Sequence, residues 1–105
     1  MKLKSFYDAY DLMEMDIISI KTVEDKLYLL LDCNTHLDLM GNGIRPEFNV
    51  SFHHMFIFKN NGYILKLNKN IRVGSYQYAD DKIILEVNGT KIILDSDPEV
   101  IENYV

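Results

Sequence analysis

The stretch DKIILEVNGTKIILDSD, residues 81–97, leaves the chain little freedom in local fold. Asn88-Gly89 is the favoured centre of a type I′ turn, because both residues accept positive φ, and apolar runs flank it on either side. Folding there sets Val87 opposite Thr90, Glu86 opposite Lys91, Leu85 opposite Ile92, Ile84 opposite Ile93, Ile83 opposite Leu94 and Lys82 opposite Asp95. Two pairs of opposite charge then face each other, each contributing a few tenths of a kcal/mol. A slip of one residue would lose both pairs and turn the apolar set to the wrong face. A hairpin over 82–95 is therefore predicted.

The other segments read as strands of the same kind. EDKLYLLLD alternates Leu27, Leu29 and Leu31 against Tyr28 and Leu30. DLMEMDIISIK carries apolar residues at 13, 15 and 17, then changes phase to 18 and 20, which predicts a β-bulge. The turn VEDK joins these two segments as an antiparallel hairpin. In FNVSFHHMFIF (48–58), Phe48, Val50, Phe52, His54, Phe56 and Phe58 share one face, so His53 and His54 point to opposite sides. KNNG (59–62) turns the chain into YILKLN, and a short strand around IRVGSYQY precedes the final hairpin. Asp97-Pro98-Glu99 predicts a C-terminal helical turn, with Asp as cap and Pro at the first helical position.

Two readings compete for residues 5–15. Phe6, Tyr10, Met13 and Ile17 recur at helical spacing, and Ser5 followed by Asp8 resembles an N-capping pair, which favours a full amphipathic helix. The alternative is a short helical turn leading into a long strand. Residues 33–47, CNTHLDLMGNGIRPE, form a long irregular loop.

The chain is short enough for one domain, 1–105, and 48% of its residues are apolar. Sixteen acidic residues stand against 11 basic ones, giving a net charge of −5. That balance disfavours nucleic acid, whose binders cluster Lys and Arg against phosphates, and disfavours anionic membrane surfaces. It suits a basic protein partner. The one cysteine, Cys33, allows no internal disulfide and suits a reducing compartment. The N-terminus lacks the apolar core of a secretory signal, and no apolar run approaches the roughly 20 residues of a membrane span, so a cytoplasmic protein is expected.

Few residues invite a chemical reading. GNGIRP lacks the third glycine and the strand-helix setting of a dinucleotide site. Cys33, His36 and Asp38 lie close in sequence, with His53 and His54 further on, but structural zinc sites carry paired ligands at both ends; neither metal nor cofactor is expected. A Cys33–His nucleophile pair lacks a third, orienting residue. Asp8, Asp11, Glu14 and Asp16 form an acidic run, read either as a docking face for a basic partner or as a solvated surface. Tyr76 and Tyr78 share one face of a strand, where packing competes with ligand stacking. His54, alone in a row of phenylalanines, needs a hydrogen-bond partner if buried.

Ser5, Phe6, Asp8 and Ala9, then Leu27, Leu29, Leu31 and Asp32, and finally Val50 and Phe52 carry a family likeness. The chain resembles small bacterial proteins that open with a Phe-His-Asp-Ala-type motif, some of them grouped as immunity proteins of polymorphic toxin systems. Tyr7 stands where that motif has histidine. The resemblance implies no catalytic residue; it implies a strand over residues 10–21 and a toxin as partner.

The expected architecture is α+β and mainly β: one twisted or partly closed antiparallel sheet of about six or seven strands with short terminal helical segments. Its expected core is Phe6, Leu29, Leu31, Val50, Phe52, Phe56, Leu65, Ile83, Leu85, Ile92 and Leu94. The expected function is non-catalytic protein binding, of the immunity type, through an acidic surface that includes Asp8, Asp11, Glu14 and Asp16, with His54 as a further candidate binding residue. The first alternative is a small ligand-binding domain or enzyme that uses His36, His53 or His54 with loop 33–47. The second is a structural subunit of a homo-oligomer.

Overall fold

The computed structural model describes residues 1–33 and 53–102. A helix, α1 (Leu3–Ala9), precedes eight strands: β1 (Asp16–Val23), β2 (Lys26–Asp32), β3 (His53–Lys59), β4 (Lys66–Leu67), β5 (Val73–Ala79), β6 (Lys82–Val87), β7 (Thr90–Leu94) and β8 (Glu99–Ile101). The described residues are thus mainly β, every strand pair is antiparallel, and one short helix lies at the N-terminus, as expected. The strands divide into two sheets instead of one, β4-β1-β2-β3-β8 and β5-β6-β7.

The division follows from the turns. Asn88 and Gly89 both adopt positive φ, 48° and 82°, and β6 pairs with β7 in the predicted register from Ile83–Leu94 to Val87–Thr90. Asp80 and Asp81 repeat the device at φ 53° and 59°, so β5 folds back on β6 just as tightly. Two tight hairpins in succession make a meander, and among the described residues no strand of the large sheet pairs with it. Its far edge is then closed by side chains. The Ile93 N–H donates to the Tyr63 hydroxyl (2.9 Å), and the Ile93 carbonyl accepts from Asn61 (3.2 Å). The segment 61–68 therefore contributes a two-residue strand, β4, and, through Asn61 and Tyr63, a polar cover for β7. Asn60 anchors that segment, its amide nitrogen donating to the carbonyls of Glu24 and Tyr63.

The large sheet shows the predicted VEDK hairpin, with Val23 opposite Lys26, and the predicted bulge, between Ile17 and Ser19. β3 pairs with β2, placing His54 opposite Leu31 and His53 opposite Asp32. At the C-terminus the expected helical turn is absent: Glu99–Ile101 is a strand that pairs with Met55–Ile57 of β3. Pairing satisfies the backbone groups along the edge of β3 and lets Val100 pack on the core, which one helical turn could not do. Asp97 does cap a helix, but a distant one. Its Oδ1 accepts from the Leu3 N–H at 2.8 Å, at the start of α1.

That contact also settles the N-terminal segment. Ser5 lies inside α1 and caps nothing; the N-cap position is Lys2, whose side chain makes no capping bond. The helix stops at Ala9, Tyr10 being extended at φ −127°. Asp11 then takes over, its side chain accepting from the Met13 N–H (3.0 Å) and its carbonyl from Glu14 and Met15. A local Asp turn of this kind competes with helix continuation. The full-helix alternative fails there, leaving Met13 half exposed, and the short helical turn before a strand is what forms.

Phe6 is completely buried, its ring 4.8 Å from Phe56 and 5.2 Å from Phe58, both nearly perpendicular to it. One core cluster runs from these rings through Leu29 and Leu31 to Ile83, Leu85, Ile92 and Leu94 of the small sheet. Of the remaining expected core residues, Leu65 is partly buried, and Val50 and Phe52 lie outside the described residues. Leu3, Leu12, Ile20, Leu27, Cys33, Phe58 and Val87 join the core in addition.

Phe6→Ala is expected to cost about 3–5 kcal/mol, the range for a buried ring lost from a close-packed core. Asp97→Ala should cost about 1 kcal/mol and Asp97→Asn clearly less, because an amide oxygen still caps. Urea denaturation checks both; equal losses for Ala and Asn would mean that the charge, and not the cap, matters.

Candidate functional site

Helical spacing divides α1 in two. Leu3 and Phe6 face the core, while Lys4, Tyr7 and Asp8 face outward, and Asp11 follows in the turn. Period-two spacing puts Tyr76 and Tyr78 on one face of β5, against that outer side of the helix. The Tyr7 ring lies 4.7 Å from Tyr76 and 5.6 Å from Tyr78. Lys4 stands over the rings of Tyr7 and Tyr78, at 5.5 and 5.2 Å, and its ammonium pairs with Asp8 at 2.7 Å. The sequence identified the two strand tyrosines as sharing a face. Their partner Tyr7 became visible only once α1 was set beside β5.

Hydrogen bonds fix the stack. The Tyr76 hydroxyl donates to the Tyr10 carbonyl at 2.8 Å, the Tyr7 hydroxyl to the Tyr76 carbonyl at 3.3 Å, and the Tyr78 hydroxyl to Asp81 at 3.1 Å. Burial pushes the Tyr76 phenol well above the usual tyrosine range, and Tyr7, Asp11 and Asp8 add to that shift. Tyr76 is a fixed, neutral donor. Lys4 is held above its ordinary value by its bond to Asp8, so it stays charged.

Two open hollows flank the stack. Tyr7, Asp8, Asp11 and Tyr76 line one, of about 420 Å³. Lys2, Leu3, Lys4, Tyr78, Asp81, Asp95 and Asp97 line the other, of about 360 Å³. Carboxylates outnumber ammonium groups on this face. Of the four acidic candidates, the structure brings Asp8 and Asp11 together at the tyrosines. Glu14 is exposed in the following turn, and Asp16 is exposed at the head of β1 opposite Asp32; neither lines the hollow. Asp81, Asp95 and Asp97 were missed as members of the face, since only the fold brings the final hairpin beside α1.

The histidines diverge. His54 is half-buried on the core side of β3, its ring perpendicular to Phe56 at 6.3 Å, and His53 points to the opposite side of the sheet. His36, Asp38 and the rest of loop 33–47 beyond Cys33 lie outside the described residues. Cys33 is buried. Burial pushes its thiol up to about 11, the Asp32 charge adds to the shift, and a hydrogen bond from the His54 backbone opposes it. A thiol so placed is protonated at neutral pH and is a poor nucleophile. Among the described residues, no three His, Cys, Asp or Glu side chains are grouped to hold a metal ion, and no helix is long and apolar enough to cross a membrane.

Raised acid pKa values set the sign of the alkaline response. The unfolded thiol releases its proton near its ordinary value of 9.0, whereas burial pushes the folded one up to about 11. Between those limits the unfolded state binds fewer protons, so stability present below pH 9 is lost as pH rises towards 11. Tyr76 and Tyr10, both raised chiefly by burial, act in the same direction above pH 10. The urea midpoint should fall steadily from pH 9 upward, and Cys33→Ala should flatten the first part of that fall; an unchanged profile in the variant would remove Cys33 from the account.

The chain matches no family model, no curated protein and no solved structure, so the chemistry of this face rests on its own residues.

Proposed function

We propose that the chain is a non-catalytic protein-binding domain of the immunity type, which neutralises a basic toxin through the face that carries Asp8 and Asp11. The observation that supports this most directly is the joining of two exposed carboxylates to a hydrogen-bonded tyrosine stack at one open hollow. Tyrosine rings supply large contact area at low entropic cost, and here packing against α1 has already ordered them. Carboxylates at their rim attract lysine and arginine, speed encounter and fix register through charge-assisted bonds.

The net charge of −5 extends that attraction beyond contact distance. Glu14 and Asp16 belong to this outer field, and Asp8 and Asp11 to the contact. The cytoplasm, where a single buried thiol stays reduced, is the setting in which such a protein would meet its toxin. No cofactor has a role in this function.

The test is whether a basic protein encoded beside this chain binds it, with the affinity measured by titration calorimetry at several salt concentrations; no binding by any such neighbour would count against the function. Asp8→Lys with Asp11→Lys should weaken binding at least tenfold, about 1.4 kcal/mol, and flatten its salt dependence. Glu14→Lys and Asp16→Lys should slow association with less effect on dissociation. An affinity and salt slope unchanged in the double variant would overturn the acidic-face function.

A further inference from the structure

The edges of the two sheets are not treated alike. β4 is two residues long and carries Lys66, β8 is three residues long and carries Glu99, and β7 is covered by Asn61 and Tyr63. These are the ordinary means of keeping an edge from pairing with another chain. β5 has seven residues, VGSYQYA, without a charge or a proline. Its protective devices are a bulge between Val73 and Ser75, which leaves the stretch from Ser75 to Ala79 regular, and the Tyr7 hydroxyl, which holds the Tyr76 carbonyl at 3.3 Å until an added strand takes that carbonyl over.

The direction of the backbone groups follows from the turn. In a two-residue type I′ hairpin the closing pair, here Ala79–Lys82, is hydrogen-bonded, and pairs alternate from there. Tyr78–Ile83 and Tyr76–Leu85 are then non-hydrogen-bonded pairs, so the N–H and C=O groups of Tyr76 and Tyr78 face away from β6. The same count on β6–β7 turns Ile93 outward, where Asn61 and Tyr63 meet it. It also turns the Tyr76 carbonyl outward, where the Tyr7 hydroxyl reaches it at 3.3 Å. Among the described residues no strand pairs with this edge.

We propose that the outer edge of β5 takes an extended, lysine- or arginine-bearing segment of a partner protein as a fourth strand of the small sheet. Charge selects this occupant over a second copy of the chain. Asp8 and Asp11 line the hollow beside Tyr76, and Asp80 and Asp81 close the strand's end, so two copies joined edge to edge would bring carboxylates against carboxylates. A basic strand meets those carboxylates with its alternate side chains while its backbone supplies the ladder, the mode known as β-strand addition. The inference rests on the acidic-face function and adds to it a backbone register and a conformation of the bound segment.

The probe is an end-capped nine-residue peptide alternating lysine with threonine, compared with the same peptide N-methylated at every second amide so that one edge cannot donate. Binding is followed by amide NMR of the full chain. Expected are dissociation below 1 mM for the parent peptide, at least tenfold weaker binding of the methylated one, and at least tenfold slower amide exchange at Tyr76 and Tyr78 in the complex. Equal binding of the two peptides, lost in Asp8→Asn with Asp11→Asn, would overturn strand addition while supporting the acidic face. Failure of both peptides to bind at 1 mM would overturn strand addition as well, leaving the toxin titration to judge the broader function separately.

Discussion

Phe6 is the contact on which the arrangement of both sheets depends. A helix of seven residues is far below the length at which a helix persists in water by itself, since its nucleation cost is spread over so few bonds. α1 stands because its one aromatic anchor is fully buried, edge-on to Phe56 and Phe58 of the large sheet and 5.4 Å from Tyr10. On the next residue, about 100° round the helix, Tyr7 rests on Tyr76 and Tyr78 of the small sheet. The helix is thus a wedge with an aromatic contact to each sheet, and Asp97 secures its first N–H from the far end of the chain. Two sheets that share no ladder among the described residues are held in one core by an element too short to exist without them.

Polar side chains complete what the ladders leave open. Asn60 receives the Tyr63 N–H and donates to the Glu24 and Tyr63 carbonyls, while its own N–H reaches the Asp25 carbonyl, tying the β1–β2 turn to the 60–63 segment. Asn61 and Tyr63 continue from there onto Ile93. Each of these bonds is modest in net terms, of order 1 kcal/mol, yet each meets a backbone group that would otherwise face an edge or a tight turn unpaired. The large sheet's turn region and the small sheet's outer strand are therefore joined through the side chains of Asn60, Asn61 and Tyr63. The two links differ in kind, aromatic at α1 and polar at 60–63.

Much of this was legible in the residues. Asn88-Gly89 specified its register to the residue, because positive φ and charge pairing agree there, and the phase change at Ile17–Ile18 located a bulge from alternation alone. What escaped was non-local. The motif Asp97-Pro98 is a sound helix-start signal, and Asp97 does cap a helix, but sequence proximity gave no means of finding that the helix lies 94 residues away. Periodicity over residues 5–15 was real for Phe6 and Tyr10 and accidental for Met13, since the Asp11 turn intervenes. The division into two sheets was equally invisible, because it turns on whether one edge is met by a strand or by the side chains of Asn61 and Tyr63. At the candidate site, Asp8 and Asp11 were legible as a charged run, whereas their tyrosine setting required α1 to be placed against β5.

The same wedge that holds the fold also displays the candidate site, and this links stability to binding. Lys4, Tyr7 and Asp8 project from α1 because Leu3 and Phe6 are anchored on its other side, one turn of helix apart. Any change that loosens Phe6 will therefore release the carboxylates and the Tyr7 ring together, and a loss of binding in such a variant would carry no information about contact. Asp8 is nearly free of this confusion. It is exposed, and its ion pair is with the exposed Lys4, a surface contact that contributes little to stability. Asp11 is exposed too, but its side chain also accepts from the Met13 N–H, so Asp11→Asn, whose amide oxygen can still accept, removes the charge with least disturbance of that turn. The face is rigid where it meets the core and polar where it meets solvent, an arrangement suited to a pre-ordered surface whose partner supplies the flexible chain.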